Sequence, residues 1–203
     1  MGAKERRVRE KEELRRRILD AAREIVLKEG CDCVTMRRVA EKIEYTPTTI
    51  YLYFKDKEEL IGTVCEETFL GLLKVLERVE QDYKEPLKRL QAGCQAYVDF
   101  GLANPELYRV GFLTPVEQPL NLKEIAQKFP AGFKAFDFLR RSVETCIKQG
   151  VFRNGDTETA SQAVWACLHG ITSLLIIKPF FPWVAKDRLI DFVIGDIIDG
   201  LKR

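Results

Sequence analysis

Apolar residues recur at helical spacing along nearly the whole chain, and strand-like alternation is almost absent. Leu14, Ile18, Ala21, Ala22, Ile25 and Val26 fall at i, i+4, i+7 and i+8 with charge on the other faces, and Gly30 stops the pattern. Thr35 caps a short second helix through Val39, Ala40 and Ile43, and a third short helix covers about 47–53. A long helix runs from the N-cap Asp56, with Glu59 as capping-box partner, to about Gln81. Pro86 opens a helix to about Ala103, and Asn104-Pro105 punctuates it. A loop at 114–121 precedes a long helix over about 123–149 that ends at Gly150. Asp156 opens another to about Ile177, 178–185 breaks it, and a last helix runs from Asp187 to about Lys202. The fold class is all-α. A three-helix head is joined by a long helix to a larger bundle, with the boundary placed at 65/66.

The segment YTPTTIYLYFKDKEEL (45–60) is too polar for a core helix and too rich in Ile, Leu, Tyr and Phe for a loop. Its neighbours explain it. Ala40 to Ile50, with a turn at Glu44–Thr46, is the spacing of a helix-turn-helix, whose second helix enters a DNA major groove by its N-terminal end. There Thr46, Pro47, Thr48 and Thr49 are short enough for close approach, and their hydroxyls and methyls suit base edges. Tyr51 and Tyr53 place phenols at phosphate distance, and Lys57 joins backbone N–H groups in the first turn of the next helix. The charge distribution agrees. The net charge is only +2, yet residues 1–61 hold 15 basic against 13 acidic side chains while the rest is balanced. Eight of those basic residues lie in 1–17, as a helix extension or as an arm reaching DNA through Arg6, Arg7 and Arg9.

These residues resemble the DNA-binding head of the TetR family of bacterial transcriptional regulators. The run RRRILDAAREIVLKEG, the Thr-capped second helix and IYLYFKDKEEL fall in the family's order over about 12–65. The resemblance implies DNA contacts at Thr35, Arg37, Arg38, Pro47, Thr48, Thr49, Tyr51, Tyr53 and Lys57. It also implies a repressor that a small effector releases from a palindromic double-stranded operator. Where the family usually has glycine at the turn, this chain has Glu44, at a cost on the order of 1 kcal/mol in a left-handed conformation.

The rest of the chain carries no catalytic constellation. His169 is the single histidine, which excludes a His-based metal cluster, and Cys31-x-Cys33 has no second pair at zinc-finger spacing. No cofactor and no metal are expected. Six scattered cysteines and the lack of a signal segment predict free thiols in a cytoplasmic protein. The apolar run 163–177 falls short of the roughly 18–20 residues that span a bilayer, so no membrane is expected. The alternatives are a helical interaction adaptor, which would not retard DNA, and a small enzyme using His169.

Trp165-Ala-Cys-Leu-His169-Gly170 resembles the Trp…His-Gly signature of one TetR-family C-terminal type. Trp165 and His169 lie one turn apart and point into one space, either as core or as an effector wall. Gly170 is expected to admit another helix closely. Cys94, Tyr97, Phe100, Phe112, Phe133 and Phe136 are the other candidates for an apolar effector cavity. Val164, Leu168, Ile171 and Leu175 on one helix, with Leu189, Phe192, Val193 and Ile197 on the last, exceed one buried stripe. The resemblance assigns them to a homodimer interface.

Overall fold

The computed structural model describes residues 2–113 and 122–202. Among these every regular element is helical, and the one β-type pairing is an isolated bridge between Phe152 and Lys202. The expected loop at 114–121 lies outside the described residues.

The head consists of α1 (Ala3–Glu29), a 3-10 turn (Cys31–Cys33), α2 (Met36–Lys42) and α3 (Pro47–Tyr51). The basic N-terminal segment is part of α1, where Arg6–Glu10 and Arg9–Glu13 pair at 3.4 Å. Thr35 Oγ1 accepts the Arg38 N–H at 3.1 Å and so starts α2. Ala40 and Ile50 are both fully buried, which sets the close crossing of α2 and α3. Glu44 takes φ 61°. Around it the Tyr45 N–H donates to Ala40 O and the Glu44 N–H to Glu41 O. That is a Schellman closure with glutamate at the position glycine favours.

α4 (Lys57–Asp82) leaves the head and runs into the body. Asp56 caps it by accepting the Glu59 N–H at 2.8 Å, but Glu59 Oε2 accepts the Lys55 N–H rather than that of Asp56. The body comprises α5 (Pro86–Ala103), α6 (Pro105–Tyr108), a π-helical turn (Arg109–Leu113), α7 (Leu122–Lys128), α8 (Pro130–Lys148), α9 (Thr157–Ile177) and α10 (Lys186–Leu201). The helix expected over 123–149 is therefore two. Pro130 has no N–H to continue α7, and the residue before it, Phe129, is driven to φ −133° and ψ 64°. Glu66 of α4 then does the work of a cap for α8, its Oε1 accepting the Ala131 N–H at 2.8 Å.

Two apolar clusters form the core. The first joins head residues such as Ile18, Val39, Ile50 and Leu60 to Phe69, Leu107, Val110 and Ala131, so it crosses from head to body. The second fills the body between α4, α5, α8, α9 and α10. At 21 residues α9 is long and apolar enough to cross a membrane by length and composition, longer than the run its sequence suggested. Its inner side is instead occupied within the chain. Val164, Leu168, Ile171 and Leu175, expected on a dimer face, are all buried in this second cluster. Leu189, Val193 and Ile197 are half-buried against it, and only Phe192 of the eight stands well exposed. A helix apolar nearly all round gives no polar side by which to orient it. The side of α9 left exposed carries Ala163, Ala166, Cys167, Leu174 and Ile177. Gly170 likewise admits no helix of this chain, since nothing lies within 4 Å of a Cβ placed on it.

Candidate nucleic-acid interface and effector site

On the head, the N-terminal end of α3 is open to solvent. Thr46, Pro47 and Thr48 are exposed and Thr49 is half-buried, its hydroxyl 3.2 Å from that of Thr46. Tyr51 is 54 % exposed and Tyr53 half-buried beside it. Lys57, in the first turn of α4, lies half-buried near this end with Nζ 3.5 Å from Asp32 O. Thr35 and Arg37 are exposed on α2, Arg37 Nε donating to Glu41 at 2.8 Å. Arg38 is differently placed: its guanidinium donates to both Glu29 carboxylate oxygens at 2.7 Å and to Cys33 O at 3.0 Å. That engagement is not legible in the sequence, because Glu29 belongs to another helix.

Two basic residues of α1 brace the motif. Arg17 Nη2 donates to Ile43 O at 3.1 Å with its guanidinium 5.4 Å from the Tyr45 ring, and Arg15 lies 5.0 Å from the Phe54 ring. Between α1 and the motif runs an open cleft of about 550 Å³ lined by Arg7, Lys11, Arg17, Tyr45 and Tyr53 among others. Leu52, to which the sequence assigned nothing, is 75 % exposed next to Tyr51.

In the body the aromatic candidates converge on α9. Trp165 Nε1 donates to the Tyr97 hydroxyl at 3.3 Å, Tyr97 and Tyr108 hydroxyls are 3.0 Å apart, and the Tyr108 hydroxyl is 2.7 Å from His169 Nδ1. An indole N–H only donates, so one direction satisfies every member: Trp165 to Tyr97 to Tyr108 to the Nδ1 lone pair of a neutral His169. The chemistry favours neutrality throughout. Burial pushes Tyr97 up to about 12 and raises Tyr108 far above a free phenol, while desolvation lowers His169. Gly101 permits the arrangement. A Cβ there would lie 2.5 Å from Thr172 and 2.9 Å from the Tyr108 ring.

Phe112 stacks on Tyr108 at 4.6 Å and meets Tyr97 and His169 at 5.8 and 5.9 Å. On its other side it meets Phe69 of α4 edge-on at 5.1 Å. Phe136 lies 5.8 Å from Trp165. Phe100 packs on the body core, its ring 3.3 Å from a Cβ placed on Gly71 of α4, and Cys94 is buried in the same cluster. Phe133 is 38 % exposed with no ring partner among the described residues, so it stands apart from the others. Trp165 itself is 39 % exposed and is no core tryptophan. Tyr108, the centre of the network, is not among the candidates read from the sequence, since only the fold brings it to His169. Among the described residues, no group of three His, Cys, Asp or Glu side chains is placed to hold a metal.

Two family models match the chain. The one described as "Bacterial regulatory proteins, tetR family" covers residues 18–64, and "Tetracyclin repressor-like, C-terminal domain" covers 90–197, more than half the chain. The chain belongs to the TetR family. This TetR-family protein is a DNA-binding transcriptional regulator. It is 25 % identical over 179 residues to the fatty acid metabolism regulator protein of Bacillus subtilis, covering 87 % of this chain and 86 % of that one. A Rhodococcus protein of unknown function superposes with TM-score 0.80 at 26 % identity, covering 94 % and 96 % of the two chains. The regulator FadR of Bacillus subtilis, solved in complex with stearoyl-CoA, shares the fold with TM-score 0.74 at 20 % identity and coverage of 91 % and 97 %.

Proposed function

We propose that the protein is a cytoplasmic homodimeric repressor, not an enzyme, released from a palindromic operator by an acyl-CoA. Residues 1–65 bind DNA, and 66–203 bind effector and the second copy. Thr35, Arg37, Thr46, Pro47, Thr48, Thr49, Tyr51, Tyr53 and Lys57 meet DNA, the threonines at base edges and the tyrosines and Lys57 at phosphates. Arg38 joins them only by exchanging Glu29 for a phosphate, an exchange that costs a charge-assisted pair.

The effector class is carried over from the fatty-acid regulators the chain resembles. What supports it here is the aromatic body around Tyr97, Phe112, Phe136 and Trp165, which suits an aliphatic chain. The observation that carries the regulatory reading is Phe112, which touches both the Trp165–Tyr97–Tyr108–His169 network and Phe69 of α4. The rings are in mutual contact, so an acyl chain enters by parting them. Phe112 then shifts against α4, the helix that begins at Lys57. A few degrees of rotation there moves the two heads by ångströms and spoils simultaneous docking.

The test is fluorescence anisotropy of a labelled duplex selected from random DNA by the protein, titrated with acyl-CoAs of increasing chain length. Release by long-chain acyl-CoA and not by free coenzyme A is expected. Selection of no DNA at all would defeat the proposal. Binding indifferent to every acyl-CoA would remove the effector class alone.

A further inference from the structure

The helical turn of α3 continues one residue past Tyr51. Leu52 keeps helical angles, φ −73° and ψ −16°, and its N–H donates to Thr49 O at 3.2 Å. Ile50 is fully buried and Phe54 is 1 % exposed, so the inward side of this turn is fixed. At about 100° per residue, Leu52 points directly opposite the mean direction of those two. Thr48 and Thr49 lie within about 60° of it on the same outward side, whereas Tyr51 and Tyr53 project about 100° to either flank. Among the described residues of the head no large apolar side chain is more exposed than Leu52, at 75 %. A single exposed leucine is ordinary on a protein surface. One at the crest of this helix, between two threonines and two phenols, requires a partner.

We propose that Leu52 is a specificity-determining residue that reads the 5-methyl group of a thymine on the floor of the major groove. The proposal rests on the reading of α3 as the groove helix and adds a base contact to it. A helix lying in the groove turns its outermost side chains to the base edges and its flanks to the two phosphate walls. Tyr51 and Tyr53, on the flanks, are the residues placed at phosphates, which leaves Leu52 facing the bases between them. α3 spans only Pro47–Tyr51, so Leu52 lies about 6 Å along the axis from Thr48 and enters the groove with it. A leucine side chain has no donor or acceptor and satisfies no polar base edge. It gains only where the edge is apolar, and among the four bases that is the thymine methyl. Against guanine, cytosine or adenine it would desolvate a polar edge without replacing its hydrogen bonds. Leu52 therefore discriminates by exclusion as well as by contact.

The experiment uses the full chain and the duplex it selects from random DNA, with thymines replaced by deoxyuridine one position at a time. Deoxyuridine lacks the methyl group and keeps the hydrogen-bonding edge of thymine. Fluorescence anisotropy should find a thymine whose replacement weakens wild-type binding by about fourfold for each methyl removed. Leu52→Ala should bind the thymine duplex more weakly and lose the difference between the two bases at that position alone. Leu52→Met, which keeps an apolar tip, should retain part of that difference. Both variants should melt as the wild type does, since the side chain stands outside the core. A methyl effect that belongs to Thr48 or Thr49 persists in Leu52→Ala. If no thymine is sensitive, or if Leu52→Ala leaves every sensitivity unchanged, the proposal is overturned and the DNA-binding reading stays in place. Failure of the wild type to select any DNA would remove both.

Discussion

At the scale of single residues, His169 and Glu44 carry the sharpest consequences. Desolvation holds the His169 pKa below its ordinary 6.5, so the unfolded chain takes up a proton that the folded one resists. Its contribution to stability is therefore whole above about pH 6.5 and declines as pH falls from there toward the folded pKa. Urea midpoints at about pH 7.5 and about pH 5.5 should show the wild type losing more stability on acidification than His169→Asn. Equal losses would mean that His169 is not held neutral. Glu44, at φ 61°, sits where a side chain is strained, and Glu44→Gly should raise stability by up to about 1 kcal/mol, offset in part by the freer unfolded chain. The substituted glycine could be foreseen in the sequence because Schellman turns have so narrow a preference. The engagement of Arg38 by Glu29 could not, because an ion pair between helices depends on where the fold places them.

At the scale of elements, helix starts were the most legible features. Thr35, Asp56, Pro86 and Asp156 each act within one turn of themselves, and the structure begins a helix directly after, or at, each of them. The missed break at Phe129–Pro130 had a local signal too, in the proline, but an amphipathic pattern running through it masked the stop. Glu66 supplies what the local sequence lacks. Glu66→Ala leaves the Ala131 N–H without its acceptor and should cost about 1–2 kcal/mol, read from thermal melting. Which side of α9 is buried within the chain is not legible in the sequence for a physical reason: apolar residues on all sides leave only tertiary packing to decide. Packing also explains Gly101. Gly101→Ala would drive a methyl into Thr172 and Tyr108 and should destabilise by about 1–3 kcal/mol, whereas alanine at the open Gly170, inside α9, should raise the protomer's stability by about 0.5–1 kcal/mol.

At the scale of the whole molecule, α4 is the mechanical link, running from Lys57 beside the recognition helix to Phe69 and Gly71 against the body's aromatic residues. Coupling through it is reciprocal, so an effector that weakens DNA binding is itself weakened by DNA by the same factor. Trp165 lies at the far end of the network and half outside the core. Trp165→Ala should change the effector response while leaving effector-free operator affinity within about tenfold, or roughly 1.4 kcal/mol. Loss of fold or dimer in that variant would make Trp165 a structural residue and remove it from the effector site. The central claim, that paired heads grip DNA through the face around α3 and Lys57, is tested most directly by the salt dependence of operator affinity. The logarithm of affinity should fall linearly and steeply with the logarithm of salt concentration, and Lys57→Ala should reduce the slope by roughly two, about one for each copy. An affinity indifferent to salt, or a slope that Lys57→Ala leaves unchanged, would contradict it.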